Sequence, residues 1–145
     1  MNPLLRTLVA AALLWACGPA QAQFQPDPES FRAFGEKPGL VRLVDDFYAR
    51  LKADPRMAPF FRDSNAERVK AQLVDQFCES LGGPCRYQGP TMGDAHANME
   101  IRKADFNALV VLLQDAMQDQ GIAFRAQNRL LERLAPLHRG IVNTR

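Results

Sequence analysis

The chain has 145 residues, 47% of them hydrophobic and 23% charged, with a formal net charge of +2. That length suits one domain, and that mixture suits a globular protein with a real core. A charge this close to neutral gives no strong pull towards nucleic acid or an anionic membrane, so neither is expected as a partner.

The first segment reads as a targeting signal. Arg6 supplies a weak positive start, Leu8 to Ala16 form an apolar stretch, and Ala20-Gln21-Ala22 is a small-x-small cleavage site. That order describes a secretory signal peptide over residues 1–22, which places the protein outside the cytoplasm, in the periplasm of a bacterium. The apolar stretch is too short to span a bilayer well, so no transmembrane span is expected after processing. Cys17 supplies an alternative, lipid attachment to a new N-terminal cysteine, although Trp15 is bulky for that motif. Removing residues 1–22 leaves Cys78 and Cys85, an isolated pair that in an oxidising compartment is a disulfide candidate. Free thiols and a two-cysteine metal site are the alternatives, the second disfavoured by the lack of nearby histidine or further cysteine.

Residues 23–37 carry Pro26 and Pro28 and read as a flexible lead-in, with one helical turn near Glu29–Ala33. The domain proper is expected over 38–145, with Pro38 at the first position of a helix. Leu40, Leu43, Val44, Phe47, Tyr48 and Leu51 then recur at three- and four-residue steps, giving one apolar face to about Ala53. Asp54-Pro55 ends that helix, and Pro59-Phe60-Phe61 closes a short turn. Ser64 to Glu67 has the form of a capping box. Behind it Val69, Leu73, Phe77 and Leu81 predict a helix that Gly82-Gly83-Pro84 stops. Residues 84–100 show no periodicity and read as a loop. A long helix follows, with Phe106, Leu109, Val110, Leu113 and Met117 on one face, ending near Gly121. The last helix starts near Ala123, and Pro136 should bend it. No strand-like alternation occurs, so the fold class is all-α, with four main helices packed in pairs.

Two histidines are present. His138 lies among Leu134, Leu137 and Ile141 and reads as a packed structural residue. His96 lies in the irregular segment between helices, where a rigid scaffold can present a functional side chain. Its context sharpens the reading. Val44-Asp45-Asp46-Phe47-Tyr48, Pro59-Phe60-Phe61, Leu81-Gly82-Gly83-Pro84, Tyr87-Gln88-Gly89-Pro90-x-Met92 and then His96 follow in that order and spacing. Together they resemble the group I truncated hemoglobins, the short two-over-two helical globins, from about Phe34 to Val142.

The resemblance implies one heme b per chain in a two-over-two helical sandwich. It implies that His96 is the proximal ligand of the iron, its second ring nitrogen held by a partner such as a backbone carbonyl. Tyr48 matches the distal tyrosine that donates a hydrogen bond to the bound gas, with Gln72 as a helper. Phe61 matches an aromatic that packs on the porphyrin. Phe47, Phe77, Met92, Ile101 and Phe106 match cavity positions, as do Val69 and Leu73 on the distal side. Arg68, Lys70 and Tyr87 are candidates to face the heme propionates. The sequence departs from the family pattern in places. Gly35 is followed by Glu36, where a second glycine is common. Asn98-Met99-Glu100 replaces glycines that often follow the proximal histidine. Val69 and Leu73 stand where relatives place polar residues, so Tyr48 should dominate the distal side.

The activity implied is reversible binding of dioxygen and other diatomic gases, nitric oxide among them. Oxidation of nitric oxide to nitrate would draw on an external electron donor, because the sequence shows no reductase segment. A non-catalytic gas-sensing or heme-handling module, or a heme-free helical adaptor, would use the same fold. Peroxidase-like chemistry is disfavoured because no distal histidine is available as general acid–base group.

Overall fold

Residues 27–144 are described by the computed structural model. The expected signal peptide, and Cys17 with it, lies outside them. Asp27 caps α1 (Pro28–Ala33), accepting from the Ser30 backbone N–H at 3.1 Å and the Ser30 hydroxyl at 2.6 Å. The helical turn expected near Glu29–Ala33 is therefore present, and within the described part of the expected lead-in, residues 27–37, the chain is helical rather than loose. Phe34 is 2% exposed and packs into the core. One buried aromatic outweighs the polar, proline-rich composition around it.

Helix α2 (Glu36–Ala53) starts two residues earlier than Pro38 suggested. Pro38 is its third residue, still within the first turn, where backbone N–H groups have no intrahelical acceptor. Gly39 is needed because α2 crosses the chain end of α1 closely: a Cβ there would overlap the Phe34 carbonyl. The apolar face is as the spacing predicts, with Leu40, Leu43, Val44, Phe47, Tyr48 and Leu51 all buried.

A short α3 (Ala58–Phe61) leads to α4 (Ala66–Ser80). The capping box expected at Ser64 is displaced by one residue. Asn65 is the N-cap, its side-chain oxygen accepting from the Arg68 N–H at 2.9 Å. Two adjacent cap-forming residues compete for one helix start, and the backbone at Asn65 takes the extended conformation a cap requires. Cys78, at the end of α4, is bonded to Cys85 at 2.05 Å, so the disulfide reading holds. The segment read as loop contains a single helical turn, α5 (Met92–Ala95), capped by Thr91. The long helix α6 (Lys103–Asp119) ends, as expected, just before Gly121 at φ 73. The last helix breaks at Pro136 into α7 (Phe124–Leu134), a tight 3-10 turn (Ala135–Leu137) and α8 (His138–Ile141).

Packing follows two crossed layers. Helix α2 lies against α4 and α6, and α7 lies against α4 and α6. The described residues contain helices and no strand. None of their helices is long and apolar enough to cross a membrane.

Candidate functional site

A cavity of about 840 Å³ opens between α4 on one side and α5, α6 and α7 on the other. That volume lies in the range of pockets that enclose a cofactor-sized molecule. From α4 it takes Arg68, Val69, Gln72, Leu73, Gln76 and Phe77. These positions recur at four-residue steps on one helix face, which is why a single helix can form a whole wall. Phe47 and Leu51 enter from α2, Phe60 and Phe61 from α3, and Phe106, Leu109, Val110 and Leu113 from α6.

His96 ends α5 and lines the opposite wall from α4. Its Nδ1 lies 2.8 Å from the carbonyl oxygen of Met92, one helical turn earlier. A carbonyl only accepts, so Nδ1 carries the proton and donates, and Nε2 of the neutral ring keeps its lone pair. That is the tautomer a metal-ligating imidazole needs. The segment is fixed from outside as well. Asn143 donates to the His96 carbonyl at 2.7 Å and accepts from the Ile101 N–H at 2.7 Å. Gly140 of α8 sits against Met92 and Gly93. The clasp formed by the last helix had no signal in the sequence beyond an asparagine near the end.

Most residues singled out from sequence meet in this cavity. Phe47, Phe61, Arg68, Val69, Gln72, Leu73, Phe77, Tyr87, Met92, His96, Ile101 and Phe106 all line it. Two do not. Lys70 faces α2, where it pairs with Asp45 at 3.0 Å and with Glu67 at 2.9 Å. On a helix, residues two apart point about 200° from each other, so Arg68 and Lys70 cannot share one wall. Arg68 is the one at the cavity, and no ion pair holds it among the described residues. Tyr48 also stands back from the cavity surface, turned about 100° from Phe47 along α2. It is buried, packs edge-on against Phe61 with ring centroids 5.7 Å apart, and reaches the cavity through Ser64. The phenol and serine oxygens are 3.0 Å apart. In the sequence Ser64 looks like a helix cap, and that signal hides its place in the site.

Two other polar side chains at the site, Tyr87 and Gln76, have partners. The Tyr87 hydroxyl donates to the Pro90 carbonyl at 2.8 Å, and burial pushes its phenol pKa up, which keeps it protonated. Gln76 Nε2 donates to Met92 Sδ at 3.6 Å across the cavity mouth. His138 packs edge-on against Phe106, centroids 4.8 Å apart, in the structural role its neighbours suggested.

The departures after the glycine positions have a clear outcome. Glu36, Asn98 and Glu100 adopt φ of 55, 61 and 53. The backbone keeps the left-handed conformation that glycine would occupy without strain, although the residues have changed.

The chemistry of the site fits a flat, largely apolar macrocycle that carries a metal and two carboxylates. One imidazole presents a lone pair, aromatic and aliphatic walls face each other, and a guanidinium stands at the edge. Comparison with known proteins agrees. The bacterial-like globin family profile matches residues 29–143. The group 1 truncated hemoglobin GlbN of Mycolicibacterium paratuberculosis is 32% identical over 103 residues, covering 71% of this chain and 76% of that one. The group 1 truncated hemoglobin of Tetrahymena thermophila is 29% identical over 96 residues, covering 66% and 79%. The crystal structure of the truncated hemoglobin from Tetrahymena pyriformis in its Fe(III) form superimposes with a TM-score of 0.75, covering 79% of this chain and 98% of that one. At 23% identity that likeness shows the shared fold. The chain belongs to the bacterial-like globin family and, within it, to the group 1 truncated hemoglobins.

Proposed function

We propose that this protein reversibly binds dioxygen, and nitric oxide in the same place, at one heme b held through His96, and that it does so outside the cytoplasm. The observation that carries the reading is the His96 Nδ1 bond to the Met92 carbonyl in the wall of a cavity faced by α4. A heme held by His96 would supply a ferrous iron able to take a diatomic gas. This chain's residues do the rest. The Met92 carbonyl fixes the tautomer of His96 and the plane of its ring, and Asn143 holds the segment that carries it. Phe47, Phe61, Phe77 and Phe106 keep water from the interior of the cavity. Val69 and Leu73 bring no donor, which leaves the Tyr48 hydroxyl, bonded to Ser64, and Gln72 to meet a polar ligand. Arg68 and Tyr87 stand where the cofactor's carboxylates would be met. Oxidation of nitric oxide to nitrate belongs to the same site, and an outside electron donor would then restore the ferrous state.

The test is spectroscopic. The reduced protein should change its visible spectrum on exposure to dioxygen and revert on its removal. Tyr48→Phe should release dioxygen about tenfold faster, at the lower end of a charge-assisted hydrogen bond's worth. A spectrum indifferent to dioxygen overturns the reading.

Export is supported by the Cys78–Cys85 bond, since such bonds persist in oxidising compartments. Protein recovered from the periplasmic fraction should begin at Gln23 by intact mass and show no thiol reactivity. A mass beginning at Cys17 with an added lipid would favour the anchored form, and two free thiols would argue against export.

A further inference from the structure

The Tyr48 hydroxyl has one proton, and the hydrogen-bond arrangement shows where it goes. Ser64 Oγ lies 2.9 Å from the Phe61 carbonyl oxygen and 3.0 Å from the Tyr48 oxygen. A carbonyl can only accept, whereas a phenol is a better donor and a poorer acceptor than an aliphatic hydroxyl. The Ser64 proton therefore goes to Phe61, which receives Lys52 Nζ at 3.3 Å on its other lone pair. The Tyr48 proton goes to Ser64. The chain of bonds runs Tyr48 to Ser64 to Phe61, in one direction, and ends on backbone.

We infer that Ser64 competes with the bound gas for the Tyr48 proton and so sets how long the gas is retained. Ser64 lines the cavity and Tyr48 stands behind it, so the serine is the positioning residue that holds the phenol in place and away from the ligand. A gas can take the hydrogen bond only by drawing the phenol from Ser64, and the energy of that exchange is subtracted from retention. A short side chain on the turn between α3 and α4 thus tunes a ligand it does not bind. This rests on the gas-binding reading above.

The prediction has an unusual sign: deleting a polar group should strengthen retention. Ser64→Ala should slow dioxygen release roughly threefold to tenfold, the range of one neutral hydrogen bond. Ser64→Thr, which keeps the hydroxyl, should release dioxygen at the wild-type rate. A second readout does not involve heme. With Tyr87→Phe as background, Tyr48 is the one tyrosine left in the chain, and the intensity ratio of the tyrosine Raman doublet reports whether a phenol donates or accepts. It should show a donor in the parent and in Ser64→Thr, and the donor signature should be lost in Ser64→Ala. Unaltered or faster release in Ser64→Ala, with dioxygen binding intact, overturns the role of Ser64 alone. An acceptor signature in the parent, or no Raman change in Ser64→Ala, overturns it as well. A chain that binds no dioxygen overturns the gas-binding reading and takes this inference with it.

Discussion

His96 depends on a carbonyl one helical turn before it, and that pairing is local enough to have been partly legible. Its position among the family's motifs marked it as a ligand, and general chemistry required a partner for the second nitrogen. Only the fold could supply Met92 O as that partner. Tyr48 was legible as a type and less so as a geometry. Its partner Ser64 is sixteen residues away across a turn, and serine before an asparagine looks like a cap. Lys70 cannot share the cavity wall with Arg68, because helical phase turns it towards Asp45 of α2. The positive-φ positions make a residue-scale prediction. Glu100 holds φ 53 with an exposed side chain, so Glu100→Gly should relieve left-handed strain and stabilise the fold by about 0.5–1 kcal/mol, net of glycine's entropy. Urea unfolding checks this; a loss of stability would mean the Glu100 side chain makes a contact that outweighs its backbone.

At the scale of elements, the helices were readable where apolar periodicity was strong, as in α2, α4 and α6. Their ends were less so, because caps depend on backbone geometry that neighbouring candidates compete for. Asp27, Asp54 and Asp105 tie element ends through their carboxylates. Asp27 is held below its ordinary value by the hydroxyl and N–H of Ser30. Asp105 is lowered by Arg102, whose guanidinium and backbone N–H both bond to it at the start of α6. Asp54, after α2, is lowered to about 2 by Arg56. A carboxyl whose folded pKa lies below its unfolded value stabilises the fold fully above the unfolded value and loses that contribution as pH falls through the folded one. Helicity followed by circular dichroism should therefore hold from neutral pH to about 4 and decline below it, as these caps protonate. Asp105→Asn should flatten that acid transition. A variant with an unchanged acid curve would show that α6 does not depend on this cap.

Over the whole molecule, α2 is the piece that organises the rest, with α4 and α6 packed on it and α7 completing the second layer. This much follows from alternating helices, short connections and one apolar face per helix. The contributions of the two chain ends were not legible. Phe34 fastens the N-terminal segment into the core, and Asn143 with Gly140 fastens the C-terminal segment onto the histidine turn. Both act through long-range contacts that periodicity does not encode. The disulfide joins the end of α4 to the start of the segment that leads to His96, so the helix that forms one wall of the cavity is tied covalently to the segment that carries the histidine.

The central claim is that this cavity holds a heme through His96, and an optical titration of the purified chain with hemin tests it most directly. A sharp Soret band should appear and saturate at one hemin per chain, with His96→Ala giving a weaker band with a shifted maximum. A folded protein that stays colourless in excess hemin, or a His96→Ala protein with an unaltered spectrum, would contradict it.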